Sequence, residues 1–345
     1  MIKTDGTLPK VSVIIPVFNG ANYLREAIES VFAQTYKNYE LLVVDDGSND
    51  GTWDIIKRYG SRLCGIPKEN GGVASALNCG LQHASGKYIA WLSHDDLFLP
   101  DKLDRQVDFL NQFPQFKACY TDYYIIDEKG NVTQEIKTLW FPRQEALRNL
   151  FGIAYINGST MMIERSCFQK AGLFSEHLKY TQDTEMWLRL LQYFEIGRVP
   201  EILGKWRNHS SQGSRRTKIH RAEAQAMYCC IFKELGVEAL FPEWKESAAD
   251  PKTIAKAYTW FGDSLSFYQR WYRLADRQYA HAIAAYPSLR NLAIWRRFHN
   301  LVLSILQPCY SKTRAILRPR LRNAKHWFEI NCFGGSKNRT VRHER

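Results

Sequence analysis

With 345 residues, of which 45% are hydrophobic and 24% charged, the chain has the apolar material for one large core with an appendage, which excludes a disordered polypeptide. No apolar run approaches the ~20 residues of a membrane-spanning helix, and the opening Met1-Ile2-Lys3-Thr4 lacks the apolar stretch of a secretory signal, so a cytoplasmic location is expected. The eight cysteines show neither the paired spacing of a zinc site nor a disulfide framework and read as small buried thiols.

In chain order, Val11–Phe18 is a short, almost wholly apolar run that reads as a buried strand. Tyr23/Leu24, Ala27/Ile28 and Val31/Phe32 recur at helical spacing and predict a helix laid on a sheet. Glu40–Val44 and Tyr88–Leu92 are further strands; Asn49-Asp50-Gly51 opens one helix between them and Asn70-Gly71-Gly72 another that ends near His83. Pro100-Asp101 starts a helix through Phe113, and a strand follows over Ala118–Ile126, with a turn at Glu128–Asn131. Strand and helix alternating for over a hundred residues predict an α/β fold with a mostly parallel sheet. Gln144–Phe151 and Asp183–Phe194 read as helices, the second strongly, because Met186, Trp187, Leu190, Leu191 and Phe194 share a face. After Arg216 the sequence turns helical and aromatic, so the expected division is 1–216 as an α/β catalytic domain and 217–345 as a helical region. Within the latter, Tyr272–Tyr286 spaces Leu274, Ala275, Tyr279, Ala280, Ile283 and Ala284 as one packed helix.

The net charge of +12 is concentrated at the end, where residues 311–345 hold ten Lys or Arg against two acids. Trp295-Arg296-Arg297, Leu301–Leu306 and the basic run Arg314–Lys325 have the composition of a segment that rests on an anionic membrane face, and a helical cap or dimer contact is an equal reading. No recognisable nucleic-acid-binding module accompanies the charge, and no nucleic acid partner is expected.

Four segments carry candidate chemistry. Asp45 and Asp46 close the second strand, where an α/β sheet offers its ligand crevice; read alone they serve equally well as a turn. Asp95 and Asp96 close a later strand, and two carboxylates there suit Mg²⁺ or Mn²⁺ beside a diphosphate; a helix N-cap is the other use of Asp96, weakened by the helix start that Pro100-Asp101 offers further on. Asp183 opens an amphipathic helix, as a general base or, equally cheaply, as an ordinary N-cap. Trp206-Arg207-Asn208-His209 reads as a polar loop able to meet a diphosphate or complete a metal shell.

In this order, Val11-Ser12-Val13-Ile14-Ile15-Pro16-Val17-Phe18-Asn19-Gly20, Ser30-Val31-Phe32-Ala33-Gln34-Thr35-Tyr36 and Val43-Val44-Asp45-Asp46-Gly47-Ser48 together resemble the family 2 glycosyltransferases, over roughly Val11 to Gln212. The resemblance implies the GT-A fold, a nucleotide-diphosphate sugar donor, commonly a UDP-sugar, a divalent cation, and an inverting transfer to a glycan or lipid-linked hydroxyl in cell-envelope glycan synthesis. It implies that Pro16 and Phe18 line the nucleotide pocket, Asp46 reads the base, Asp95 faces the ribose or donor, Asp96 holds Mn²⁺ or Mg²⁺ with His209 as a further ligand, Arg207 lies near the diphosphate, and Asp183 is the catalytic base. The chain departs from the pattern at Ser93, where many relatives carry another acid, and at Gln182, where Glu is frequent. The aromatic Gln-x-x-Arg-Trp signature and membrane helices of the processive synthases are missing, which implies single additions.

Two other classes share parts of this reading. A dehydrogenase would need Gly-x-Gly-x-x-Gly where Pro16–Gly20 stands. A sugar nucleotidyltransferase would share fold and metal but begin with a Gly-rich loop ending in Arg, and a non-enzymatic scaffold would have no use for Asp46, Asp95, Asp96 and Asp183.

Overall fold

Every residue of Val11–Val17 is buried, as a central strand covered on both faces must be. The computed structural model describes residues 8–151, 155–212, 217–267 and 271–289, with Ile294, Arg296, Arg297 and Asn300. Along the chain come β1 (Val11–Val17), α1 (Leu24–Phe32), β2 (Tyr39–Asp45), α2 (Thr52–Lys57), β3 (Cys64–Pro67), α3 (Val73–His83), β4 (Tyr88–Trp91), β5 (Leu97–Phe98), α4 (Lys102–Gln112), β6 (Phe116–Ile126), β7 (Val132–Ile136), α5 (Arg143–Leu150), β8 (Met162–Glu164), α6 (Phe168–Ala171), α7 (Gln182–Tyr193), β9 (Glu195–Arg207), α8 (Thr217–Leu240), α9 (Pro251–Phe267) and α10 (Tyr272–Ala285).

The strands form one sheet in the order β3-β2-β1-β4-β8-β6-β9-β5, with β7 paired to β6. β1 runs parallel to β2 and β4, with Val17 opposite Asp45 and Ile14 opposite Trp91. β8 runs antiparallel to β4 and β6, while β6 and β9 run parallel. The α/β sheet expected from the sequence is therefore parallel through its first half and mixed beyond it. The chain winds outward through β2 and β3 and then returns to β4 on the other side of β1. That reversal opens a crevice at the carboxyl ends of β1 and β4, where open α/β sheets bind ligands.

Alternation in β1 explains both layers. Val11, Val13, Ile15 and Val17 join Leu24, Ala27, Ile28 and Val31 of α1 in one core cluster, each large aliphatic side chain contributing roughly 1.5–3 kcal/mol on burial. Ile14 points to the opposite face, where a Cβ on Gly80 of α3 would lie 2.5 Å from it.

Trp206 and Arg207, read from sequence as part of a polar loop, are the last residues of β9 and pair with Ile125 and Ile126 of β6. The loop proper is Asn208–Gln212. Gly197, Pro200 and Gly204 interrupt the hydrophobic alternation that would otherwise announce this strand.

The described residues fall into two compact units. One runs to Ile254 and includes α8, whose start coincides with the change of composition after Arg216. The other takes in Ala255–Ser266 and the described residues from Trp271 onward. In it Tyr279 packs where a Cβ on Gly262 would stand, and its hydroxyl donates to Asp263 at 2.9 Å. Arg296 and Arg297 of the segment considered for membrane contact pair with Asp263 and Asp276. The rest of that segment, including Leu301–Leu306 and Arg314–Lys325, lies outside the described residues. No helix among the described residues is long and apolar enough to cross a membrane.

Candidate functional site

The turn after β2 is built on its own acids. Asp45 accepts a hydrogen bond from the Ser48 amide at 3.0 Å, and Gly47 takes φ 78°, where a Cβ would press to 2.9 Å on the Asn70 amide nitrogen. Asp46, 2% exposed, accepts from Lys68 Nζ at 2.6 Å and from the Gly71 and Gly72 amides at 3.0 and 2.6 Å. A carboxylate offers about four lone-pair sites, so one remains for a further donor. Across the sheet edge Pro16 is buried within β1, and Phe18 just beyond it is 47% exposed.

Asp95 and Asp96 follow β4. Asp96 accepts from the Ser159 hydroxyl at 2.6 Å and from the Arg207 amide at 2.9 Å. Burial and the neighbouring Asp95 charge push the Asp96 carboxyl well above the ordinary aspartate range. Burial acts the same way on Asp95, but His209, whose Nε2 lies 2.8 Å from Asp95 Oδ2, and the nearby His94 outweigh it and hold that carboxyl low. His209 Nδ1 lies 2.8 Å from Ser211 Oγ, so the ring is oriented from both sides.

The side chain of Arg207, expected near the diphosphate, is 1% exposed and spent on the protein. Its Nε donates to Asp95 O at 2.9 Å, Nη1 to Glu128 O at 3.1 Å and Nη2 to Glu26 at 2.6 Å, while the guanidinium lies over the Tyr23 ring. It reaches the acidic pair through backbone atoms, as a brace between α1, the Asp95 loop and the turn after β6.

Asp183 sits in the first turn of α7, which Thr181 precedes. Its Oδ1 accepts from the Thr184 amide at 2.6 Å. Burial lifts its carboxyl above the ordinary aspartate value, against the pull of the Thr184 donors and His220. An aspartate so placed is a better proton acceptor than a free one.

A cleft of about 400 Å³ gathers Pro16, Asp95, Asp96 and Asp183 in one lining. Phe18, Asp46, Arg207 and His209 stand outside that lining, Phe18 and Asp46 beyond the ends of β1 and β2 and His209 behind Asp95. Sequence reasoning missed Tyr123, Tyr155 and Asn157, which share the cleft with Gln182, and Ser159, which also takes the Ser93 amide at 3.1 Å. The Asn157-Gly158-Ser159 turn carries a faint signal: a Cβ on Gly158 would lie 2.5 Å from Trp91, so only glycine lets the turn close on β4. Among the described residues no three His, Cys, Asp or Glu side chains form a preassembled metal cluster. The donor set is the buried Asp96 and the half-buried Asp95, since His209, the expected further ligand, has its ring nitrogens on Asp95 and Ser211; two carboxylates suit a hard cation that takes most of its ligands from phosphates and water.

Residues 12–172 match the family described as Glycosyl transferase family 2. Over 236 residues the chain is 42% identical to an uncharacterized glycosyltransferase of Rickettsia prowazekii (strain Madrid E), covering 67% of this chain and 74% of that protein. It is 32% identical over 207 residues to TuaG of Bacillus subtilis (strain 168), a protein named for teichuronic acid biosynthesis, covering 58% of this chain and 79% of TuaG. Among solved structures, S. aureus TarS 1–349 in complex with UDP superposes with a TM-score of 0.58 at 17% identity, over 84% of this chain and 88% of that one. The same protein with UDP-GlcNAc gives 0.57 at 16% identity, over 84% and 89%. At such identities the likeness is one of fold.

Proposed function

The chain belongs to glycosyltransferase family 2, and on that premise we propose that it transfers a sugar, with inversion, from a nucleotide-diphosphate donor to a hydroxyl of a glycan or lipid-linked acceptor. The observation that carries the reading is the single cleft lined by Pro16, Asp95, Asp96 and Asp183, drawn from β1, the end of β4 and α7. TarS, similar in fold, was solved with UDP and UDP-GlcNAc, and TuaG is named for an envelope polysaccharide, which supports a UDP-sugar and an envelope glycan as substrates.

In this reading Asp46 uses its remaining lone pair for a base N–H, Pro16 and Phe18 flank the nucleotide, and Asp95 faces the ribose. Asp96 would hold Mn²⁺ or Mg²⁺, which would neutralise charge building on the departing diphosphate, while His209, with both ring nitrogens engaged, orients Asp95 in place of serving as the expected ligand. Ser159 and the Arg207 amide fix the Asp96 carboxylate, and the Arg207 side chain keeps the Asp95 loop in place. Asp183 takes the proton from the acceptor hydroxyl. The new bond forms at the anomeric carbon on the face opposite the one the nucleoside diphosphate leaves.

Turnover with a panel of nucleotide sugars and Mn²⁺ tests the proposal: the glycosyl transfer reading predicts a released nucleoside diphosphate, whereas a nucleotidyltransferase would release pyrophosphate. Asp96→Ala is expected to weaken cation-supported donor binding by about tenfold or more, ~1.4 kcal/mol, in calorimetry with and without Mn²⁺. Equal donor affinity in wild type and variant under both conditions would remove Asp96 from the cation site.

A further inference from the structure

The amino end of α7 is held by a residue from α8. Glu223 accepts hydrogen bonds from the Lys179, Tyr180 and Thr181 amides and from the Thr181 hydroxyl, each at 2.8 Å. A helix start leaves its first amides without internal partners, and the Thr181 side chain supplies no cap to the helix. Glu223 draws in the residues leading to that start instead and places a negative charge where the helix dipole favours one. Burial alone would raise the Glu223 carboxyl, but the four donors hold it below the ordinary glutamate value, so it is ionised at neutral pH.

The clamp is itself anchored. Tyr228, further along α8, donates to Leu150 O at the end of α5 at 2.8 Å, and its ring lies 5.5 Å from that of Phe151. The segment it holds is cleft lining: Lys179 and Tyr180 stand beside Gln182 and Asp183. Lys179 Nζ donates to Gly71 O at 2.8 Å, on the turn whose amides bind Asp46. Glu223 lies beyond residues 12–172, so this contact is built by a part of the chain outside the matched region.

We propose that Glu223 is a positioning residue for transfer: by fixing residues 179–181 it sets the aim of Asp183 at the acceptor hydroxyl. The inference rests on Asp183 being the base. A shift of about 1 Å in a reacting group can cost on the order of 100-fold in rate, which sets the scale of the effect.

The test uses the full chain with Glu223→Ala, Glu223→Gln and Asp183→Asn. Glu223→Ala is expected to lower kcat about 10- to 100-fold with the donor KM within about twofold. Glu223→Gln keeps the oxygen that serves Tyr180 and Thr181 and is expected to recover most of kcat. Both leave Asp183 itself in place, so a fall in kcat at an unchanged donor KM, reversed by Gln, marks lost aim, which loss of fold would not produce. Wild-type kcat in Glu223→Ala would overturn the clamp. Should Glu223→Ala fail to fold, Glu223→Asp, whose shorter side chain cannot reach all four donors, takes its place, and wild-type kcat in it would overturn the clamp. An active Asp183→Asn would instead overturn the base assignment, whatever Glu223 does.

Discussion

Asp183→Asn is expected to lower transfer by about 10²–10⁴-fold, the range a positioned general base supplies, while the affinity for the nucleotide sugar stays within about twofold of wild type. The substitution keeps the size of the side chain and an oxygen able to accept from the Thr184 amide, so the first turn of α7 is preserved. What it removes is the capacity to take a proton. The wild-type rate should fall as pH drops through a value above that of ordinary aspartate, because burial raises this carboxyl and only its anion accepts the proton. In the variant that acidic limb should vanish along with most of the rate. Initial rates across pH, together with calorimetric donor binding, check both halves. Near wild-type turnover in Asp183→Asn would remove this residue from the chemistry.

The parts of the site legible in the sequence are those fixed by strand ends. β1, β2 and β4 are near-continuous apolar runs, and an acid that stops such a run has to emerge at the carboxyl edge of the sheet. That logic finds Asp45, Asp46, Asp95 and Asp96. It does not decide Asp183, because an acid at a helix start reads equally as a base or as a capping residue, and only the family resemblance favours the base. Nor does it find Tyr123, which lies on a strand whose residues face two ways, or Asn157 and Ser159, which a short irregular turn carries to β4. Arg207 shows the reverse failure. A charged residue after a glycine-broken stretch reads as loop, yet it ends β9 and spends its guanidinium on Asp95, Glu128 and Glu26. Glu223 is illegible for a simpler reason: its partners are backbone amides 42 to 44 residues away, and no side-chain pattern records such a contact.

Lys102→Met is expected to stabilise the fold at neutral pH. Lys102 is 0% exposed at the start of α4, and its Nζ donates to Gln106 at 2.5 Å and lies 4.3 Å from the Phe98 ring centroid. Burial pushes its ammonium down to about 7, from 10.5, with the nearby Cys119 opposing weakly. The unfolded chain therefore binds a proton more readily than the folded one between about pH 7 and 10.5, so stability rises with pH across that window. Below it the full cost is present, on the order of 5 kcal/mol at about 1.4 kcal/mol per unit. Methionine fills nearly the same volume without the charge. It leaves Gln106 Oε1 without its donor, a loss of ~1–3 kcal/mol, while Gln106 Nε2 keeps Thr160 O at 2.9 Å. The net expectation is a gain of roughly 1–4 kcal/mol at pH 7, shrinking as pH approaches 10.5. Urea unfolding of both proteins at pH 7 and pH 10 measures it. A destabilised variant at pH 7, or a gain that does not change between the two pH values, would show that the buried amine is not the cost it is taken to be. Because Lys102 lies outside the cleft lining, the gain should come without loss of transfer, which separates the stability of this sheet from the chemistry at its edge.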